Sequence, residues 1–148
     1  MLRVAVECHP ARTPEELAEH YAVRHAVFVG EQRIFDGDER DSRDTDPATV
    51  HVVGSVAGAA GGTVRLYPLG DGRWQGDRLA VLPEFRTHGL GAPLVRYAVR
   101  TAAARGGRLM VAHVQLPNVE FFTHLGWRRD GPEEVYAGLP HQPMVIDL

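Results

Sequence analysis

Arg86, Gly89 and Gly91 stand where an apolar run closed by Pro83 gives way to a helical pattern. The first turn of a helix leaves backbone N–H groups unpaired and carries partial positive charge. It therefore draws phosphate wherever the main chain can be approached closely. Glycines lack the β-carbon that would bar the approach, and an arginine fork reaches a further phosphate oxygen. The same glycines also suit an ordinary tight turn, so on their own they leave both readings open. The junction is not a P-loop, because no Gly-Lys-Ser/Thr follows, and Leu94 stands where a dinucleotide fingerprint needs its third glycine.

Such a junction needs a strand to deliver it and a helix to receive it. "DRLAVLP" reads as that strand, ended by Pro83. "GAPLVRYAVRTAAARGG" reads as the helix, with Leu90, Leu94, Val95, Ala98, Val99 and Ala102 on one face and a glycine stop. Upstream, "LRVAVEC" alternates like a strand, with Leu2, Val4 and Val6 on one side. "TPEEL" starts a helix in which Thr13 caps, Pro14 takes the first position and Glu16 completes a capping box, predicting a helix to about Val29. "EQRIFDGDERDSRDTDPA" has no periodicity and reads as a solvated, flexible loop. "HVVGSVAG" and "GGTVRLYPL" read as a hairpin, and "GDGRWQG" as a turn. "RLMVAHV" is a further strand, "PNVEFFTHLGW" a short helix from about Asn118 to Leu125, and the tail holds one or two strands ending in "PMVIDL". The order β-α-β-β-β-α-β-α-β predicts one α/β (α+β) domain over residues 1–148.

Composition narrows the partners. With 148 residues, 44% hydrophobic and 24% charged, the chain is long enough to bury a core without staples. A net charge of −3 gives no basis for nucleic-acid binding. One cysteine, Cys8, excludes an internal disulfide and suits a reducing cytoplasm; in an early strand it reads as a small buried thiol before a nucleophile. No signal peptide or membrane-spanning run is visible, and His9, His20, His25, His51, His88 and His124 show no metal-ligand spacing, so neither membrane nor metal is expected.

The stretch V-x-P-x-x-R-x-x-G-x-G from Val81 to Gly91 resembles the acyl-CoA-binding signature of the GNAT acyltransferases. Asn118, 27 residues past Gly91, and the following "FFTHLGW" resemble that family's N…FYxxxGF segment. "RHAVFVGEQ" (Arg24 to Gln32), the Asp-rich loop, His51 and "GLPHQPM" are similar to its ElaA-type branch. "W-x-G-x-RLAV", "VQLPNVEFF" and "GLPHQPMVIDL" are similar to small members described as nitrogen-starvation acetyltransferases. The resemblance implies a mixed, mostly antiparallel sheet of about six to seven strands, flanked by helices and splayed around the cofactor.

It further implies an N-acetyltransferase moving an acetyl group from acetyl-CoA to a small-molecule amine by direct attack on the thioester. The diphosphate would rest on Arg86, Thr87, His88, Gly89, Leu90, Gly91 and Ala92. The pantetheine arm would lie along Leu79, Ala80 and Val81 as an added strand does, with an amide there facing the thioester oxygen. Asn118, Phe121 and Phe122 would complete the cofactor site. In many members the second residue of the FY pair is a tyrosine that protonates the leaving thiolate; here it is Phe122, which cannot. Candidate bases are His113, Asp77, His141 and Glu31. Arg24, Phe28, Glu31, Gln32, His113 and His141 would shape the acceptor pocket, Arg24 equally suiting a salt bridge to the acidic loop. Family habit also implies a homodimer. Two alternatives remain: a non-catalytic acyl-CoA-binding module, favoured by Phe122, and an acyl-homoserine-lactone-synthase-like transferase, suggested by the Arg24–Phe28 helix.

Overall fold

In the computed structural model, which describes residues 5–148, strands and helices alternate along one twisted sheet. Strand β1 (Val6–Pro10) enters at the edge; Leu2 and Val4, expected to share its face, lie outside the described residues. Helix α1 (Pro14–Arg24) begins with the expected capping box, Thr13 accepting from the Glu16 amide while Glu16 accepts from the Thr13 amide. The helical path ends close to the expected Val29. A wider turn carries it through His25–Glu31, which brings Glu31 and Gln32 to the sheet.

Strands β2 (Val50–Val56), β3 (Ala59–Gly70) and β4 (Arg73–Val81) form a meander. Each connection is a two-residue turn, Ala57-Gly58 or Asp71-Gly72, with all four residues at positive φ. The turn expected over Gly70–Gly76 is thus shorter than the sequence suggested, because a primed turn needs two residues and frees Arg73 to Gly76 for β4. Helix α2 (Gly91–Ala104) crosses to β5 (Leu109–Gln115), and the short helix α3 (Val119–His124) follows. The tail supplies three strands where one or two were expected: β6 (Arg128–Arg129), β7 (Glu134–Tyr136) and β8 (Leu139–Asp147).

The eight-stranded sheet runs β1-β2-β3-β4-β5-β8-β6, with β7 also on β8; β4 and β5 are parallel and the other pairs antiparallel. One core lies under α2 and α3, built on Leu66, Trp74, Leu94, Val95, Ala98, Met110 and Met144. A smaller one, Val23, Val27, Phe28 and Ala80, lies under α1. Among the described residues no helix is long and apolar enough to cross a membrane.

The sheet opens at one place. β4 and β5 pair through Arg73–Leu109, Trp74–Met110 and Gln75–Val111 and then diverge. A bulge bends β4 just there. Arg65 lies opposite Asp77 and Thr63 opposite Ala80, so Val64 faces two residues, Arg78 and Leu79. Arg78 takes φ 52°, unusual for a residue with a β-carbon, and its displaced carbonyl accepts from the buried Thr63 hydroxyl at 2.9 Å.

Candidate active site

Past Gln75 the edge of β4 that faces β5 has no strand partner. Two cavities fill the opening. The wider one, of about 580 Å3, is lined by Leu79, Ala80, Val81, Arg86, Gly89, Leu90, Gly91 and Ala92 from one side and by Pro117, Asn118 and Phe121 from the other. The second, of about 120 Å3, occupies the narrow end between Gln75–Leu79 and Met110–Gln115. Gln32, Leu79, Gln115 and Asn118 line both, so the two meet at the bulge.

The first turn of α2 opens onto the wider cavity. No side chain caps it at Leu90, and Gly89 turns the chain at φ 71° with open space where a β-carbon would stand. A β-carbon on Gly91 would come within 3.2 Å of the Phe121 ring, so this glycine is set by packing as well as by approach. These features fit a coenzyme A diphosphate: unpaired donors at a positive helix end, bare of side chains, opening onto a cleft along the free edge of β4. Thr87 and His88 belong to the turn before Gly89 and do not line the cavity. The Arg86 guanidinium bonds Glu31, at 2.7 and 2.5 Å, and the Val81 carbonyl at 3.0 Å. That bond holds the Glu31 carboxyl below its ordinary range. Glu31 accordingly lines the wider cavity and not the narrow one, whereas Phe122 lines the narrow cavity rather than the wide one.

The narrow cavity gathers Phe28, Gln32, Asp77, His113 and His141 of the expected site residues. Gln32 accepts from Gln115 at 3.0 Å across the opening. Both Asp77 oxygens accept from Arg65, at 2.8 and 2.7 Å. His141 is a buried residue of β8 opposite Gln115, with Nδ1 donating to the Leu139 carbonyl at 2.9 Å. His113 projects from β5 with Nδ1 against the Glu134 carboxylate, and its ring stacks on Tyr136 at 5.6 Å. A carboxylate can only accept, so Nδ1 carries the proton and Nε2 keeps the free lone pair. Glu134 and Tyr136 were not singled out from the sequence. Strand β7 is too short for alternation to show, although Ala137-Gly138 marks the turn that returns it to β8.

Arg24 lines neither cavity. Fully buried, it donates to Glu39 at 2.8 Å and to Asp44 at 2.7 and 3.0 Å. The acidic loop, expected to be solvated and flexible, is exposed at Asp36, Asp38, Asp41 and Asp46 but anchored through buried Glu39 and half-buried Asp44. Glu39 Oε1 also accepts from Arg78 at 2.9 Å, and Asp41 and Asp44 accept from Arg65 at 2.7 and 3.0 Å. Three buried guanidiniums draw the loop onto the sheet. Burial pushes the Asp44 carboxyl up, but bonds from Arg24 and the Asp41 amide outweigh it and hold it well below the usual range. Beneath Arg24, His20 Nδ1 donates to the Val52 carbonyl at 3.0 Å and Nε2 accepts from Arg24 at 3.2 Å. Burial first, then Arg24, lower its pKa to about 3. Burial likewise pushes the half-buried Cys8 thiol up, which suits packing and not nucleophilic attack. Among the described residues no group of three or more His, Cys, Asp or Glu is placed to hold a metal ion.

Residues 13–127 match the model of the acetyltransferase (GNAT) family. The chain belongs to that family. This GNAT protein is 28% identical over 138 residues to the uncharacterized N-acetyltransferase YjcF of Bacillus subtilis (strain 168), covering 93% of this chain and 96% of YjcF. A crystal structure from Lactobacillus plantarum, named as that of an N-acetyltransferase, superposes with a TM-score of 0.86 at 29% identity, covering 97% of this chain and 99% of that one. Escherichia coli ElaA shares the fold at a TM-score of 0.81 and 18% identity, over 96% and 98% of the two chains. The expected sheet is the one found, with eight strands rather than six or seven because β6 and β7 are very short. As a GNAT chain it is an acyl-CoA-dependent N-acyltransferase.

Proposed function

We propose that this GNAT protein transfers an acyl group, acetyl in the simplest case, from coenzyme A to the amine of a small molecule by direct attack on the thioester. One observation carries the reading: the uncapped first turn of α2 opens into a cleft along the unpaired edge of β4, and that cleft meets a second cavity at the bulge. In this reading the first-turn amides from Gly89 to Ala92 hold the diphosphate, and the edge of Leu79–Val81 holds the arm. The bound thioester supplies the activated acyl carbon. Asn118, at the mouth of both cavities, orients the arm.

The protein's own task is then to free the attacking amine of its proton and to fix the acyl oxygen near backbone donors. His113 receives the amine proton at Nε2 while Glu134 holds the ring by Nδ1. A backbone N–H of Ala80 or Val81 facing the opening stabilises negative charge developing on the acyl oxygen. Asp77 and His141, already paired, shape the wall around His113. Three cations, Arg24, Arg65 and Arg78, face four carboxylates, Glu39, Asp41, Asp44 and Asp77, in the network behind the cavity; the surplus negative charge favours a cationic acceptor. The test is thiol release from acetyl-CoA across a panel of amines, with calorimetry of acyl-CoA binding alongside.

A second reading, an acyl-CoA-binding module without turnover, is favoured by Phe122, which has no hydroxyl to give a proton from its place on α3. Binding with no thiol release on a broad amine panel selects it. The lactone-synthase alternative rests on the Arg24–Phe28 helix, whose Arg24 is paired with Glu39 and Asp44; labelled S-adenosylmethionine left unconsumed dismisses it.

A further inference from the structure

The narrow cavity has two walls of different chemistry. Toward α1 it presents Asp77, Arg78, His113, Tyr136 and His141. Toward α2 it presents Val64, Val95, Ala98, Met110, Ala112 and Phe122, every one a member of the larger core. The sheet separates these two sides elsewhere; they share a cavity here because β4 and β5 have parted. The small side chains Ala98 and Ala112, with Gly76 beside Met110, leave room in the apolar wall. The whole cavity, between polar and apolar walls, measures about 120 Å3, room for an acceptor amine and for more than the one water-sized group that an acetyl methyl amounts to. The polar wall has the groups to receive an amine, whereas the wall toward α2 offers one polar atom, the partnerless indole N–H of Trp127, which can only donate and so cannot hold an ammonium.

The direction of the arm then decides what the apolar lobe receives. An arm lying along Leu79–Val81, with its thiol end at the residues common to both cavities, points its acyl group toward the narrow end. We propose that the acyl donor is a coenzyme A thioester of a short, uncharged chain longer than acetyl, propionyl to butyryl or a branched relative, whose tail enters the lobe between α2 and the parted strands. This rests on the transferase reading of the same cleft. A charged tail is disfavoured, since no wall residue on the α2 side carries a charge to pair with it.

Calorimetry of the purified protein with coenzyme A, acetyl-CoA, butyryl-CoA and succinyl-CoA tests the lobe without any turnover. Each buried methylene strengthens binding about four-fold, so butyryl-CoA binds about fifteen-fold tighter than acetyl-CoA, with a more negative heat-capacity change. Succinyl-CoA binds more weakly than butyryl-CoA. Ala98→Leu fills the lobe and lowers the butyryl-to-acetyl affinity ratio; because overpacking can unfold a core, the smaller Ala112→Val is measured beside it. Binding of coenzyme A and acetyl-CoA with no gain for butyryl-CoA overturns the acyl-lobe proposal alone. So does an unchanged ratio in folded Ala112→Val. Failure of every coenzyme A species to bind overturns the transferase reading together with it.

Discussion

Glu39→Gln is a sharp test of the ionic network that holds the acidic loop. Glu39 is 2% exposed, and its Oε1 accepts from Arg24 at 2.8 Å and from Arg78 at 2.9 Å. Glutamine keeps an oxygen of the same reach, so the substitution removes charge while preserving shape and both acceptor bonds. At an effective dielectric near 20, each guanidinium about 4 Å from the carboxylate charge contributes about 4 kcal/mol of attraction. Against the sum of two such terms stands the cost of burying the carboxylate, several kcal/mol. The net loss is about 3 kcal/mol, because Asp44 and Asp41 still face the two arginines. For a chain of this size each kcal/mol moves Tm by about 2–4 °C, so the expected fall is about 6–12 °C. Thermal unfolding by circular dichroism at pH 7.5 reads it. A change under about 2 °C would refute the claim that these charges hold the loop down. A companion measurement separates charge from packing: Arg24→Met leaves buried Glu39 to Arg78 alone and Asp44 to Arg65 and His51, and destabilises, and adding Glu39→Met recovers part of the loss.

Acid should destabilise the fold from pH 6 downward, earlier than carboxylates alone would dictate. His20 is neutral when folded, with a pKa of about 3, and titrates near 6.5 when unfolded; below pH 6.5 the unfolded chain therefore binds more protons and stability falls, by about 1.4 kcal/mol per unit until pH 3. Asp44, held low in the fold, adds a loss in the same direction below pH 4. Urea midpoints that stay level from pH 7 to 4.5 would contradict the histidine claim, and no further fall below pH 4 would contradict that for Asp44. For the cofactor cleft, Gly89→Glu and Gly91→Glu should weaken acyl-CoA binding far more than Asn118→Ala in calorimetry, with Gly89→Ala reporting the roughly 1–2 kcal/mol backbone cost of a β-carbon at φ 71°. Equal, small affinity losses would put the diphosphate elsewhere. His113→Gln should lower kcat by about 10²–10⁴-fold with the acyl-CoA KM unchanged, and Glu134→Gln by less; a loss under five-fold for His113→Gln removes it as the base.

The elements were legible where a local pattern fixes them. Thr13, Pro14 and Glu16 announce α1, and the apolar stripe from Leu90 to Ala102 announces α2, because capping and period act within a turn or two of the chain. The Arg86–Gly91 junction was legible for the same reason. What escaped depends on distance along the chain. Glu39 meets Arg78 across 39 residues, and Arg86 meets Glu31 across 55. An Asp-rich run without periodicity looks solvated until three buried arginines from a helix and two strands supply its counter-charges. Tyr136 and Glu134 were hidden because three residues of β7 carry no repeat, and their place beside His113 exists only after β8 has paired with β5.

The network and the opening are one device. Arg78 is the bulged residue, and a guanidinium there is held by Glu39 through its side chain and its carbonyl, at 2.9 and 2.8 Å. Asp77, its neighbour, is clamped from the next strand by Arg65. A left-handed arginine in mid-strand costs energy, and a strand that has left its neighbour exposes unpaired amides; neither persists unless the surroundings over-determine it. The buried ion pairs do so from the α1 side, and Thr63 does so by taking up the displaced carbonyl. On this account substitutions in the loop should reach the chemistry without touching it. Releasing Arg78 lets β4 straighten toward β5, closing the two cavities where they meet at Leu79. Glu39→Gln should thus weaken acyl-CoA binding measurably at temperatures where the variant is still folded, and undiminished affinity there would show that the loop steadies the fold while the bulge holds itself open.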